Sequence, residues 1–502
     1  MVGGILDTFP EYAKTSRLDE LRESEYSYLD AQNHVYLDYT GSGLAAKAQH
    51  RAHDSRLAST LFGNPHSVNP TSEAATSAVE HTRARILSHL NASADEYVVV
   101  FTANATNAAR LVAEAYPFTK KKLVLTADNH NSINGIREFA RTAGAKTTYV
   151  PVEGQDLRVD NAALLGALGP AKNTHSFQEG LTSFFASCLG SSRRSKKSQK
   201  QKKKGLFAYP AQSNFAGVRH PLSWVSLAQE RGYDVLLDAA AYLPTSMLDL
   251  SVVKPEFVIA SWYKLFGYPT GVGCLIAKRE ALDRLVRPWF SGGTIKAVTV
   301  GMQWHQKAPG VEGFEDGTVN FQSIPDVGVG LDWITGSSVG MGLIETRVKC
   351  LTGWFLQRLQ ELRHSDGSPM VVLYGPKDTK MRGGSVAFNF LDAAGKVVDE
   401  RLVAYESTAA MISLRTGCFC NPGAAEGAFG LTPETLSSMK GARTTTLDEY
   451  ISLIGLPSAG AIRVSFGVAS NTADVDRFFG FAEKTYKDRV TFTDGLPARD
   501  GC

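Results

Sequence analysis

Two kinds of reactive side chain stand out. Lys264 follows the apolar run 256–260 within SWYKLFGYPTGVG (261–273), and Cys418 and Cys420 sit one residue apart in SLRTGCFCNPG (413–423). Asp238 ends another apolar run, 234–237, with a carboxylate. The run 98–101 leads into TANATN, where hydroxyls and backbone N–H groups precede a helical segment. An anion binds well at such a place, because a helix start offers unpaired N–H donors and a positive dipole end. Singly, each residue has an ordinary explanation: a lysine after a strand is usually a surface group, and an aspartate there usually caps a helix. Together, an amine, a buried carboxylate and a phosphate cradle are the parts of a pyridoxal phosphate site. In such a site the amine condenses with the cofactor aldehyde. The carboxylate keeps the pyridine nitrogen protonated, so the ring can accept electrons.

The cysteine pair admits several chemistries. A tetrahedral zinc site needs about four ligands, and no second paired Cys/His cluster with suitable spacing exists, so no metal site is expected. A disulfide between residues one apart would be strained and easily reduced. Two structural cysteines packing as small hydrophobes remain possible, as does a nucleophilic thiolate with a neighbour. If the segment is extended, Cys418 and Cys420 face one way and Phe419 the other, and spacing does not choose between them. Cys188, Cys274, Cys350 and Cys502 have no comparable context and read as structural or exposed thiols.

These residues need strands to position them. VVVFTAN (98–104), KLVLTAD (122–128), KTTYVPV (146–152), LFAYPAQ (206–212), DVLLDAA (234–240), EFVIASW (256–262) and GCLIAK (273–278) read as buried strands alternating with helical stretches. The pattern predicts an α/β fold with a mostly parallel sheet and a ligand at the carboxyl ends of its strands. After about residue 340 the texture becomes that of a smaller α+β unit. It has a helix over 343–364, strands at 383–390, 411–417 and 461–466, a helix from about 399 and a last one over 472–488. The expected division is an N-terminal arm (1–35), a large domain (36–330) and a small domain carrying the cysteine loop (331–502).

At 502 residues the chain is too long for one core, and with 43% hydrophobic and 21% charged residues it has ordinary globular composition. No apolar run approaches the roughly 20 residues needed to cross a bilayer, so no membrane partner is expected. MVGGILDTFPEYAK lacks the basic and apolar regions of a secretory signal, which points to a reducing, cytoplasmic setting with thiols retained. The insertion 171–205 contains RRSKKSQKQKKK (193–204), and without those eight basic residues the net charge of +3 becomes −5. The run reads as a solvated, disordered surface loop. A nuclear-targeting or nucleic-acid patch is the alternative, but the absence of interleaved aromatic residues argues against base stacking.

With these motifs the chain resembles the class V aminotransferase-like, fold type I pyridoxal phosphate enzymes, and among them the cysteine desulfurases and the NifS-like part of the molybdenum cofactor sulfurases. The matching stretches are YLDYTG (36–41), FGNPHS (62–67), TANATNA (102–108), DNHNSINGIRE (128–138), YPAQSNFAG (209–217), DAAAYLPT (238–245), SWYKLFGYPTGVG (261–273), EDGTVNF (315–321), RTGCFCNPGA (415–424) and IRVSFG (462–467).

Residue by residue, the resemblance implies Lys264 as the Schiff-base lysine, Asp238 as the pyridinium partner and His130 as the ring-stacking residue. Asn214 would approach the phenolic oxygen, and Ala105, Thr106 and Ser261 would hold the phosphate. Thr318 would be lent to the neighbouring subunit of a homodimer. Arg463 would clamp the carboxylate of the L-cysteine substrate. Cys420 would take the sulfur as a persulfide, with Cys418 in support. The implied acceptor is the molybdenum cofactor, on this chain or on a separate cofactor-binding protein.

The chain departs from the ordinary desulfurases at Ala241, where they carry glutamine, and at Tyr263, where they carry histidine. It also has Ala425 where the sulfurases have a third thiol. Two other functions stay open: a carbon–sulfur lyase or aminotransferase-like enzyme that does not use Cys420, and a non-enzymatic relic binding partners through the basic insertion.

Overall fold

The seven apolar runs form one sheet in the computed structural model, which describes residues 3–65, 67–171, 203–336, 339–438, 446–456, 458–493 and 495–499. The strands are β1 (Tyr97–Thr102), β2 (Lys122–Thr126), β3 (Lys146–Val150), β4 (Gly205–Pro210), β5 (Tyr233–Asp238), β6 (Phe257–Ser261) and β7 (Gly273–Lys278), in spatial order β1-β7-β6-β5-β4-β2-β3. Strands β6-β5-β4-β2-β3 pair in parallel, and β7 runs antiparallel to both β1 and β6. Strand β1 therefore points the same way as β6, and six carboxyl ends open on one edge.

The near-continuous apolar character has a direct cause: both faces of the sheet are covered. Alternate residues feed two separate cores. Val98, Val100, Leu123, Leu125, Leu236 and Ile259 pack on one side, and Val99, Phe101, Val124, Leu237, Val258 and Ala260 pack on the other. Each fully buried Val, Leu or Ile contributes about 1.5–3 kcal/mol, which makes this slab the rigid base of the site.

A smaller α+β unit follows. Its antiparallel sheet has the order β8-β9-β11-β10, from β8 (Val371–Tyr374), β9 (Ser385–Phe390), β10 (Arg415–Gly417) and β11 (Ala461–Ser465). The helices Met341–Glu361 and Thr472–Tyr486 pack together, and Phe355 meets the rings of Phe388, Phe466, Phe478 and Phe479.

The first residues lie on this unit. Val35 and Tyr36 pair in parallel with Ile412 and Ser413, Arg22 meets Asp474 at 2.6 Å, and Arg347 reaches Thr15 Oγ1 at 2.7 Å. Of the basic run, only Lys203 and Lys204 lie within the described residues, and Lys203 pairs with Asp234 at 3.0 Å. The rest of that expectation, with Cys188 and Cys502, falls outside them. Among the described residues, no helix is long and apolar enough to cross a membrane, and no group of three or more His, Cys, Asp or Glu could hold a metal.

Candidate active site

Lys264 is placed by a short helix, Tyr263–Phe266, that begins directly past β6. Gly267 closes it at φ +75°, and a Cβ there would lie 2.4 Å from the Ala45 nitrogen, so only glycine lets this turn meet the loop at 44–45. Lys264 lines a cavity of about 380 Å³ together with Ala105, Thr106, His130, Asn214, Asp238 and Ser261. Seven residues expected from the sequence thus share one wall, although they come from the ends of β1, β2, β4, β5 and β6.

The electrostatics follow from burial. Burial lowers the Lys264 ammonium below its ordinary value, the Asp238 carboxylate opposes this, and the Arg463 cation reinforces it. Asp238 is buried at the end of β5, and its Oδ1 accepts the Ala240 N–H at 2.9 Å. His130 is also lowered, first by burial and then by the Lys264 charge. Its Nδ1 accepts the Ser132 N–H at 3.1 Å, so the neutral ring carries its proton on Nε2.

The anion cradle forms at the end of β1. Asn104 caps the helix Ala105–Ala115 by accepting the Asn107 N–H at 3.0 Å. The Ala105 N–H donates to Ser261 Oγ at 2.9 Å, and the Thr106 and Ser132 hydroxyls lie 2.7 Å apart. The helix dipole and these hydroxyls together suit a phosphate.

The cysteine segment is not extended, so the condition under which Cys418 and Cys420 would face one way is not met. Phe419 and Cys420 take left-handed conformations, with φ 56° and 55°, so the two thiols face different surroundings. Cys418 is buried among Phe215, Ala424 and Ala461, while Cys420 is exposed. Hydrogen bonds from the segments past β2 and β4 hold the turn. Asn214 Nδ2 donates to the Phe419 carbonyl at 2.7 Å, and the Asn131 N–H donates to the Cys420 carbonyl at 2.7 Å. The Asn421 amide nitrogen donates to the Asp128 carbonyl at 2.7 Å and to Asn214 Oδ1 at 2.9 Å. Gly423 completes the contact, since a Cβ there would sit 2.2 Å from the Ala127 carbonyl oxygen.

Three expected residues, Cys420, Arg463 and Thr318, are not among those that line the Lys264 cavity. Arg463 is buried behind it, with Nη2 on Asp38 Oδ1 at 2.8 Å, Nη1 on the Asn214 carbonyl at 2.9 Å, and its guanidinium 4.7 Å over the Phe419 ring. Asp38 also accepts from Arg415 at 2.7 Å. Thr318 is exposed and lines an adjoining cavity of about 350 Å³ with Thr102, Asn107 and Asp316, and this cavity shares Ala103 and Gly271 with the first.

Gln212, Ser132 and Asn421 were not expected as site residues. Ser132 carried a usable signal, a hydroxyl two residues from His130, and Asn421 directly follows Cys420. Gln212 carried none beyond its place past β4.

The donor set fits a phosphorylated aldehyde: a buried amine with a lowered proton affinity, a carboxylate facing it and a helix start for the phosphate. The aminotransferase class-V family model matches residues 35–172 and 194–478. A molybdenum cofactor sulfurase from Oryza sativa subsp. japonica is 34% identical over 488 residues, covering 93% of this chain and 58% of that protein. Molybdenum cofactor sulfurase 3 from Aedes aegypti is 35% identical over 493 residues, covering 94% and 59%. The chain therefore spans less than two thirds of the length of these relatives. A cysteine desulfurase from Thermococcus onnurineus NA1 has a similar fold, with a TM-score of 0.69 at 23% identity over 93% of this chain and 97% of that one.

Proposed function

The chain belongs to the aminotransferase class-V family, and from that premise we propose that it is a pyridoxal phosphate-dependent L-cysteine desulfurase that loads sulfur onto Cys420. The observation that carries this reading is the docking of the Cys420 loop, through Asn214 and Asn131, onto the wall that holds Lys264, Asp238 and His130.

Bound in this cavity, pyridoxal phosphate would draw electrons from the substrate α-carbon and so weaken the attachment of sulfur. The chain's residues do the rest. The helix start at Ala105, with Thr106 and Ser261, would hold the phosphate. Asp238 would keep a proton at the ring nitrogen, His130 would cover the ring, and Asn214 would have an Nδ2 proton to offer the phenolic oxygen. Lys264 supplies the amine and carries the α-carbon proton. Arg463 receives the substrate carboxylate, in exchange for part of its hold on Asp38. The Cys420 thiolate attacks the substrate sulfur: a sulfur–sulfur bond forms, the carbon–sulfur bond breaks, and alanine and a persulfide result without an outside oxidant.

The exposure of Thr318 on an adjoining cavity supports a homodimer in which that hydroxyl serves the partner's phosphate site. The sulfurase relatives support the molybdenum cofactor as the final acceptor, on a longer form of this chain or on a separate protein.

The test measures alanine and sulfide release from L-cysteine with a reductant, for wild type, Lys264→Ala and Cys420→Ala. Equal products from wild type and loss in both variants are expected. Retention in Cys420→Ala would remove the persulfide role and leave a different lyase.

A further inference from the structure

A second concavity, of about 210 Å³, lies between the helix Met341–Glu361, the loop at 379–383 and the segments around Arg219 and Thr245. Its walls include Arg219, Lys349 and Arg382, against a single acid, Glu345. Its deep side is built from buried residues: Thr245, Thr352 and Arg382 are 6%, 2% and 5% exposed. That volume is roughly the liquid share of seven waters, enough for a tetrahedral oxyanion with some of its hydration.

Arg382 and the two threonines here have no anionic hydrogen-bond partner among the described residues. Arg382 donates to the carbonyls of Pro376 and Ser385, but among the described residues its Nε has no partner and no carboxylate pairs with it. The Thr245 and Thr352 hydroxyls are likewise without hydrogen bonds among the described residues. Burial holds the Arg382 guanidinium down to about 9, with the Arg158 cation adding to the effect and the Asp378 and Asp156 carboxylates opposing it. A buried cation whose nearest acids, Asp378 and Asp156, act on it without pairing directly still favours an incoming anion. Glu345 is half-exposed at the rim and accepts from Arg219 at 3.4 Å, so it neutralises one of the three cations at most.

We propose that this concavity is a second anion site, taking a tetrahedral oxyanion with two negative charges. Inorganic phosphate and sulfate have that chemistry, as does the phosphomonoester end of a larger molecule. The site is wired to the Lys264 cavity. Arg219 Nε donates to Gln212 Oε1 at 3.1 Å, and Gln212 lines the Lys264 wall. Gln212 and Thr245 also line a narrow crevice that reaches Lys264. An anion that draws Arg219 toward itself releases the Gln212 oxygen and alters the surroundings of the amine.

The experiment titrates inorganic phosphate calorimetrically into protein preloaded with pyridoxal phosphate, so that the Lys264 cavity is filled. Wild type is compared with Lys349→Met and with Lys349→Met/Thr352→Val, whose melting curves check folding. One further phosphate per chain is expected, weakened about tenfold by the loss of one charged contact and further in the double variant. Phenyl phosphate separates the sources: binding as tight as phosphate means that the opening admits a phosphomonoester, and exclusion restricts the site to free oxyanions. No binding at millimolar phosphate, or binding equal in all three proteins, overturns the proposal.

A second readout, the visible absorption of bound cofactor during titration, rests on the pyridoxal phosphate reading. The calorimetric one does not. Where cofactor loading itself fails, a phosphate in the open Lys264 cavity is recognised by its indifference to Lys349→Met.

Discussion

Asn421 and Asn214 hold each other across 207 residues of sequence, the Asn421 amide nitrogen donating to Asn214 Oδ1 at 2.9 Å. Asn214 passes the hold back, since its own nitrogen donates to the Phe419 carbonyl. The residue in the cavity wall and the residue after the exposed thiol thus form one clasp, closed by the Asp128 carbonyl.

Replacing Asn421 by alanine should loosen that clasp. It leaves Asn214 Oδ1 and the Asp128 carbonyl without their buried donor, at about 1–3 kcal/mol for each group left unpaired. The expected result is a fall of about tenfold or more in kcat for alanine release, with KM for L-cysteine within about twofold. Amide hydrogen exchange over 418–428 should speed up in parallel. Unchanged kcat and exchange would show that the clasp does not position the thiol.

The two thiols should differ in reactivity by exposure. Brief iodoacetamide treatment of the folded protein, followed by peptide mapping, should label Cys420 well ahead of Cys418, Cys274 and Cys350, which are buried. Burial also raises the Cys274 thiol far above its ordinary value. Equal labelling of Cys418 and Cys420 would contradict the left-handed turn at 419–420.

The lowered Lys264 value gives a signed pH dependence. Between that lowered value and the ordinary lysine value near 10.4, the unfolded chain binds a proton at this position that the folded chain does not. Stability of the cofactor-free protein should therefore rise with pH across this window through Lys264, and be independent of pH through this group below it. Lys264→Met should remove that rise, seen as a flatter plot of urea midpoint against pH. Parallel plots for the two proteins would rule the contribution out. In the same window, the rate of condensation with pyridoxal phosphate should level off below pH 10.4.

The N-terminal segment should be a structural part of the C-terminal unit. Arg22 is buried between Asp474 and Asp30, at 2.6 and 2.8 Å. Arg22→Met strips Asp474 of its buried partner, so about 3–5 kcal/mol should be lost. Denaturant melts would show this as a lower midpoint at constant slope. A midpoint shift corresponding to less than about 1 kcal/mol would mean that the pair behaves as an exposed one.

The sequence by itself determined the slab and its reactive edge. The seven apolar runs were legible because strands covered on both faces must be apolar at nearly every position, and a lysine or aspartate at the end of such a run marks itself. Lys264 and Asp238 were found in this way. His130, Asn214 and Arg463 were legible only through the resemblance of their motifs.

What the tertiary structure decided is how these residues are engaged. The order β1-β7-β6-β5-β4-β2-β3 brings five strand ends to one cavity, and sequence does not carry the spatial order of strands. The same order places the 128–131 and 214 loops against the cysteine segment, whose left-handed turn falls on Phe419 and Cys420 rather than on glycine. Arg463, which the resemblance implies as the clamp for a substrate carboxylate, holds Asp38 and the Asn214 carbonyl in this structure, a pairing that its motif does not announce. Composition and periodicity report the burial of each element taken alone. Which loop meets which, and which donors are already taken, is settled by contacts between elements hundreds of residues apart, and local pattern holds no record of those.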